Sequence, residues 1–146
     1  MHFNRSLLVR YNASYLPPPR SKNSSSRPQM ATSPPPKRKI TCHCKAIRLT
    51  FPPLREPALE CMCSICRRYG ALWAYYAPDE VHIEGGEAIE GYIWGRRRLC
   101  FNRCKHCGCM THYSVVRDTE PRIAVNCRMF EREEYESLES EQSDGD

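Results

Sequence analysis

The sequence predicts a mainly β, single-domain fold on three observations: short runs of alternating apolar residues, turn residues between them, and cysteines gathered into tight clusters. Ile47, Leu49 and Phe51 alternate with Ala46, Arg48 and Thr50 until Pro52-Pro53 ends the run, which makes a strand. Leu72 to Ala77 is aromatic-rich and bounded by Gly70 and Pro78. Val81 and Ile83 alternate with polar neighbours before Gly85-Gly86, and Ile89 to Trp94 follows and stops at Gly95. These read as successive hairpins. Thr111 to Val116 and Ile123 to Cys127 read as two more strands, joined through Asp118 to Pro121. The one helical stretch expected in the core is a turn or two around Ser64 to Tyr69. A closed sandwich and several small coiled sheets both satisfy this pattern.

A chain of 146 residues with 40% hydrophobic content suits one modest core with tails. No run approaches the roughly 20 apolar residues of a membrane span, so the expectation is a soluble protein without a membrane partner. The net charge of +5 averages three unlike regions: +8 over residues 1–39, +4 over 40–130 and −7 over 131–146. Residues 1–39 hold eight basic residues, no acid and the runs Pro17-Pro18-Pro19, Ser24-Ser25-Ser26 and Pro34-Pro35-Pro36. That composition predicts a disordered extension. It also fits a mitochondrial transit peptide with Phe3, Leu7 and Leu8 as its apolar face. The expected location is cytoplasmic, with mitochondrial and nuclear as the alternatives. The acidic tail, 131–146, reads as a short helix through Glu133, Glu134, Tyr135 and Leu138, followed by solvated charge.

Of the ten cysteines, eight form Cys42-x-Cys44, Cys61-x-Cys63-x2-Cys66 and Cys104-x2-Cys107-x-Cys109. Thiolates one or two residues apart grip one tetrahedral ion without strain but rarely join each other as disulfides, so the clusters predict two zinc ions per chain in a reducing compartment. Cys42, Cys44, Cys104 and Cys107 make one closed structural set. Cys61, Cys63 and Cys66 form the second from one short loop. Its fourth position stays open at this stage: Cys109 saturates it, or Cys109 points away and leaves room for water or a substrate thiol. His43 and His106 read as neighbours of the ligands, and His82 and His112 as strand residues. Cys100 and Cys127 read as small buried hydrophobes.

Four motifs in order then resemble the glutathione-dependent formaldehyde-activating enzyme family, also called the centromere protein V/GFA domain. They are Cys42-His-Cys44-Lys-Ala-Ile-Arg-Leu, Cys61-Met-Cys63-Ser-Ile-Cys66-Arg-Arg-Tyr-Gly-Ala, Cys104-Lys-His-Cys107-Gly-Cys109 and Val125-Asn126-Cys127-Arg128, and the likeness covers about residues 40–130. The resemblance implies an Mss4-like fold of small coiled β-sheets, a structural zinc at Cys42, Cys44, Cys104 and Cys107, and a glutathione-linked zinc at Cys61, Cys63 and Cys66. It also implies carbon–sulfur lyase chemistry, the named reaction joining formaldehyde to glutathione as S-hydroxymethylglutathione. Two positions depart from the pattern. Lys45 stands where the family commonly has Gly, and the enzyme that names the family lacks a cysteine at the place of Cys109.

The function expected is a zinc-dependent carbon–sulfur lyase acting on a glutathione, or other thiol, adduct of an aldehyde, with Cys61, Cys63 and Cys66 holding the reacting metal and glutathione as co-substrate. Arg67, Arg68 and Arg97, with Arg96 and Arg98 beside the last, are the candidates to receive the glutathione carboxylates. Arg96 to Arg98 equally read as a strand with solvated faces. Tyr69, Trp73, Tyr75, Tyr76 and Trp94 read as core or as a pocket lining. The rival class is a non-catalytic zinc module binding nucleic acid or protein through the basic arm and the Arg96 to Arg98 run. No Ser/His/Asp order, phosphate loop or carboxylate pair supports a hydrolase or kinase.

Overall fold

The computed structural model describes residues 35–93, 95–117 and 120–145, and these form a mainly β domain with two sheets. Strand β1 (Arg38–Thr41) and β2 (Arg48–Phe51) form an antiparallel hairpin whose turn carries the first cysteine pair. Strand β3 (Ala58–Cys61) leads into the second cluster and the one-turn helix α1 (Cys66–Tyr69), then β4 (Trp73–Tyr76) follows. Strand β5 (His82–Glu84) crosses back to pair with β2, so it leaves the sheet of β4 instead of making a hairpin with it. Gly85, at φ 81°, lets this return close. A Cβ there would sit 1.9 Å from the Ala46 carbonyl oxygen.

Strands β6 (Ile89–Ile93), β7 (Leu99–Cys104), β8 (Met110–Val115) and β9 (Ile123–Asn126) run antiparallel in sequence order. Strand β9 then pairs with β4. Helix α2 (Arg132–Glu136) precedes β10 (Ser140–Ser143), which pairs parallel with β3. The larger sheet therefore has the order β10-β3-β4-β9-β8-β7-β6 and the smaller one β1-β2-β5. A mainly β fold of two sheets carrying cysteine clusters is the fold class the sequence predicts. Among the described residues no helix is long and apolar enough to cross a membrane.

Strand alternation divides the core into two faces. Ala74, Tyr76, Ile123 and Val125 share a cluster with Ile40, Leu49 and Phe51 of the smaller sheet. Trp73, Ala124, Phe101 and Tyr113 belong to a second cluster, which packs with Ile65, Cys66 and Ala71 of the α1 region. Rings fill that second core: Trp73 meets Tyr113 edge-on at 4.9 Å, and Phe101 lies 5.5 Å from Tyr113.

Both expected tail boundaries need correction. Arg38 and Lys39, assigned to the disordered extension, belong to β1, because this strand caps the hairpin and buries Ile40. Arg38 also pairs with Glu134 at 2.7 Å and lies over the Phe130 ring. Residues 1–34, read as a disordered extension or a transit peptide, and Trp94 lie outside the described residues. After its helix the acidic tail keeps its charged side chains exposed, but its backbone is ordered as β10 on the edge of β3. Glu139 accepts a backbone hydrogen bond from Ala58, Ser143 accepts one from Met62, and Leu138 and Tyr135 pack on the core. Arg128 locks this arrangement, donating to the Gly70 carbonyl at 2.9 Å, pairing with Glu60 at 3.1 Å and lying over the Tyr135 ring.

Candidate metal centres

All ten cysteines are free thiols, and seven of them converge into two groups whose sulfurs lie within 4.8 Å of one another. The first group is Cys42, Cys44, Cys104 and Cys107. The β1–β2 turn supplies one pair and the tip of the β7–β8 hairpin the other. Cys42 and Cys104 are fully buried, and Cys44 Sγ lies 3.6 Å from both of their sulfurs. A tetrahedral zinc with 2.3 Å Zn–S bonds spaces its sulfurs by about 3.8 Å, so the group fits that ion. The turn that presents Cys42 closes through Lys45 N–H to the Cys42 carbonyl at 2.8 Å, with Ile47 N–H donating to Cys42 Sγ at 3.3 Å. Lys45 takes φ 64°, the left-handed conformation glycine adopts more cheaply.

Proton affinity within this group is divided unevenly. Hydrogen bonding from the Cys44 backbone leads the effects that hold Cys107 down at about 5. At Cys44 the Ala46 backbone hydrogen bond pulls the other way, but desolvation and the thiols of Cys104, Cys42 and Cys107 outweigh it and push the group up to about 12. Four thiolates this close cannot all ionise without a cation among them.

The second group is Cys61, Cys63 and Cys66, carried by the end of β3, the following loop and the start of α1. It lies on the opposite face of the large sheet, against the aromatic core. Cys66 is buried and accepts a hydrogen bond from Trp73 Nε1 at 3.3 Å. Burial pushes the Cys66 and Cys61 thiols up. Burial acts the same way on Cys63, but hydrogen bonds from the Cys66 and Ile65 backbone and the adjacent thiols outweigh it and leave Cys63 below its ordinary value. Tyr75 and Tyr113 stand nearby, hydrogen-bonded to each other. Desolvation raises both phenols, although the Tyr75 ring stays part-exposed, and the Arg122 guanidinium opposes the rise at each.

Cys109 does not join this second group, which corrects its candidacy as fourth ligand there. Met110 beside it faces the aromatic core, so Cys109 points to the other face and packs with Cys107. Desolvation raises its thiol, and the adjacent Cys107 and Cys104 raise it further. Three thiolates with no fourth cysteine is the donor set of an open zinc site.

The candidate arginines are dispersed. Arg67 is exposed on α1, while Arg68 donates to the Ser64 carbonyl and helps close the second loop. Arg96 to Arg98 form the exposed β6–β7 turn instead of a strand, with Arg97 at φ 58°. No hydrogen bond or ion pair links Arg97 to the second cluster among the described residues. Sequence reasoning missed the indole bond to Cys66 and the Tyr75–Tyr113 pair. Their period-2 spacing along β4 was the available signal.

No protein-family model matches the chain, and no curated protein does. The crystal structure of a Rhodobacter sphaeroides protein superposes with a TM-score of 0.57 at 31% identity, over 65% of this chain and 89% of that one. The two chains belong to one family. The Rhodobacter protein therefore shares the fold, and its description gives no activity to carry across.

Proposed function

We propose that the second cysteine cluster holds a zinc ion with one exchangeable position, at which a thiol such as glutathione is bound and added to, or released from, an aldehyde such as formaldehyde. The observation that carries this reading is the separation of Cys109 from Cys61, Cys63 and Cys66, which leaves three thiolates where the first group has four. Bound there, zinc would hold the incoming thiol as its thiolate at neutral pH.

The chain's own residues do the rest. Cys61, Cys63 and Cys66 present their sulfurs from one loop, and the Trp73 indole fixes the buried one. The aromatic wall of Trp73, Phe101 and Tyr113 limits water on one side. In the forward direction the thiol loses its proton, its sulfur lone pair forms the C–S bond, and the carbonyl π pair becomes an alkoxide. That alkoxide takes up one proton, so the adduct balances with thiol plus aldehyde. The Tyr75–Tyr113 hydroxyl pair is a donor set that can supply it, since a phenol, with an ordinary pKa of about 10, is protonated at neutral pH. Arg67, exposed on α1 next to Cys66 in sequence, is a candidate to meet a glutathione carboxylate.

X-ray absorption at the zinc edge, with and without excess glutathione, tests the reading. The expected result is two zinc ions per chain and, with glutathione, one additional sulfur ligand at the second. Exchange between formaldehyde and its glutathione adduct, followed by NMR, should accelerate with the protein and return to background in Cys63→Ser. An unchanged spectrum and background exchange would sink the lyase reading in favour of a zinc module that binds nucleic acid or protein.

A further inference from the structure

The segment after α2 bears directly on the second cluster. Strand β10 runs parallel to β3 in the register Ser140 to Ala58, Glu141 to Leu59, Gln142 to Glu60 and Ser143 to Cys61. Met62 N–H then donates to the Ser143 carbonyl at 2.8 Å, which carries the ladder past the end of β3 into the cysteine loop. Two residues on, Gly145 lies against the cluster itself. A Cβ on it would stand 2.6 Å from Cys63 N, 2.8 Å from Cys63 Cβ and 3.0 Å from Cys61 Sγ. Its φ of 65° is the left-handed region in which a side chain is already strained. Only glycine lets the backbone approach the thiols so closely.

The attachment is otherwise light. Ser140, Glu141 and Gln142 are exposed, Ser143 is half-buried, and the strand lies at the sheet edge, paired with β3 and Met62. Extended peptide added to a sheet edge is a common recognition mode, held by main-chain bonds and released without disturbing the core.

We propose that Ser140–Gly145 is an intramolecular occupant of the second site: an extended peptide strap that covers Cys61 and Cys63 and must detach before an external thiol or peptide reaches them. The strap occupies the lane along β3 in which a peptide thiol would lay its own backbone. Detachment breaks the short β10 ladder and leaves α2 anchored through Tyr135 and Glu134. The proposal concerns access to the thiols and is read from them directly, so it stands apart from the identity of any substrate.

The test is site-resolved alkylation of the reduced, zinc-loaded full chain by iodoacetamide, mapped by mass spectrometry, together with the rate of zinc transfer to a chelator. Gly145→Val pushes the strap off by collision with Cys63, and a chain ending after Glu139 removes it. In both, alkylation of Cys61 and Cys63 should rise about tenfold or more, as should the faster phase of zinc transfer, because a locally closed site becomes continuously open. Cys44, at the first site, should keep its wild-type rate, and buried Cys127 should stay protected, which reports that the core remains folded. Rates for Cys61 and Cys63 within twofold of wild type in Gly145→Val, with Cys127 protected, would overturn the proposal. If Cys127 becomes reactive in the shortened chain, Gly145→Val and Gly145→Ala decide the matter. A chain that retains one zinc yet shows the tenfold rise would sink the second-metal reading and leave the strap standing.

Discussion

The Trp73 indole Nε1 donates to Cys66 Sγ at 3.3 Å, joining the aromatic core of the large sheet to the buried ligand of the second cluster. Burial raises the Cys66 thiol, and the indole hydrogen bond is the largest effect opposing it. Trp73→Phe keeps most of the ring packing and deletes the donor. Outer partners of metal ligands typically carry 10–100-fold in affinity, so the variant should bind its second zinc about tenfold more weakly while the first is unaffected. Chelator competition measures this, and equal affinities would show that the indole serves packing alone.

The first group ties the β1–β2 turn to the β7–β8 hairpin, so metal removal should unfold the domain rather than empty one pocket. Cys42→Ser and Cys107→Ser are expected to express poorly or to melt without a cooperative transition, since an assembled four-thiolate site exists only in the native state. Circular dichroism of the purified variants is the measurement, and wild-type melting in either would remove the structural assignment.

Lys45 in the β1–β2 turn and Gly85, which packs against that turn from the end of β5, carry opposite expectations. Lys45→Gly relieves a left-handed residue and should stabilise the domain by about 0.5–1 kcal/mol in urea unfolding. Gly85→Ala forces a Cβ onto the Ala46 carbonyl and should cost about 2 kcal/mol or more. Equal stabilities for Lys45→Gly and wild type would mean the turn relaxes in solution.

Deleting everything after Ser137 should lower stability by about 2 kcal/mol, because it removes the half-buried Leu138 and the β10 ladder. Solvated charge, as the sequence reads this segment, would cost almost nothing to lose. Thermal melting of the shortened chain distinguishes the two expectations.

Burial holds the His112 imidazole at about 4, against an ordinary 6.5. Its Nδ1 lies 3.0 Å from Thr111 Oγ1 in the sheet interior. The unfolded chain takes up this proton near pH 6.5 and the native one only near 4. Stability is therefore full above the first value, falls as pH drops through the window, and levels off below the second, a loss of about 3 kcal/mol at most. Acid release of metal adds its own slope. Denaturant titrations of wild type and His112→Gln between pH 7 and 4 isolate the histidine as the difference, and identical slopes would assign the whole acid response to the metal sites.

The sequence by itself determined the strand character of the core and the membership of the first metal group. Alternation at Ile47, Leu49 and Phe51 is a period-2 signal that survives without context, and Cys-x-Cys paired with Cys-x2-Cys leaves few ways to surround an ion. It also separated Cys61, Cys63 and Cys66 as a unit, because one short loop carries all three. Tertiary structure decided the rest. Which way Cys109 points follows from the facing of Met110 at the start of β8, a fact of sheet registration that no local pattern encodes. Strand β10 was illegible because Ser-Glu-Gln-Ser has no apolar alternation. An edge strand exposed on both faces is selected by the free hydrogen-bonding groups of β3, and these exist only once the sheet has formed.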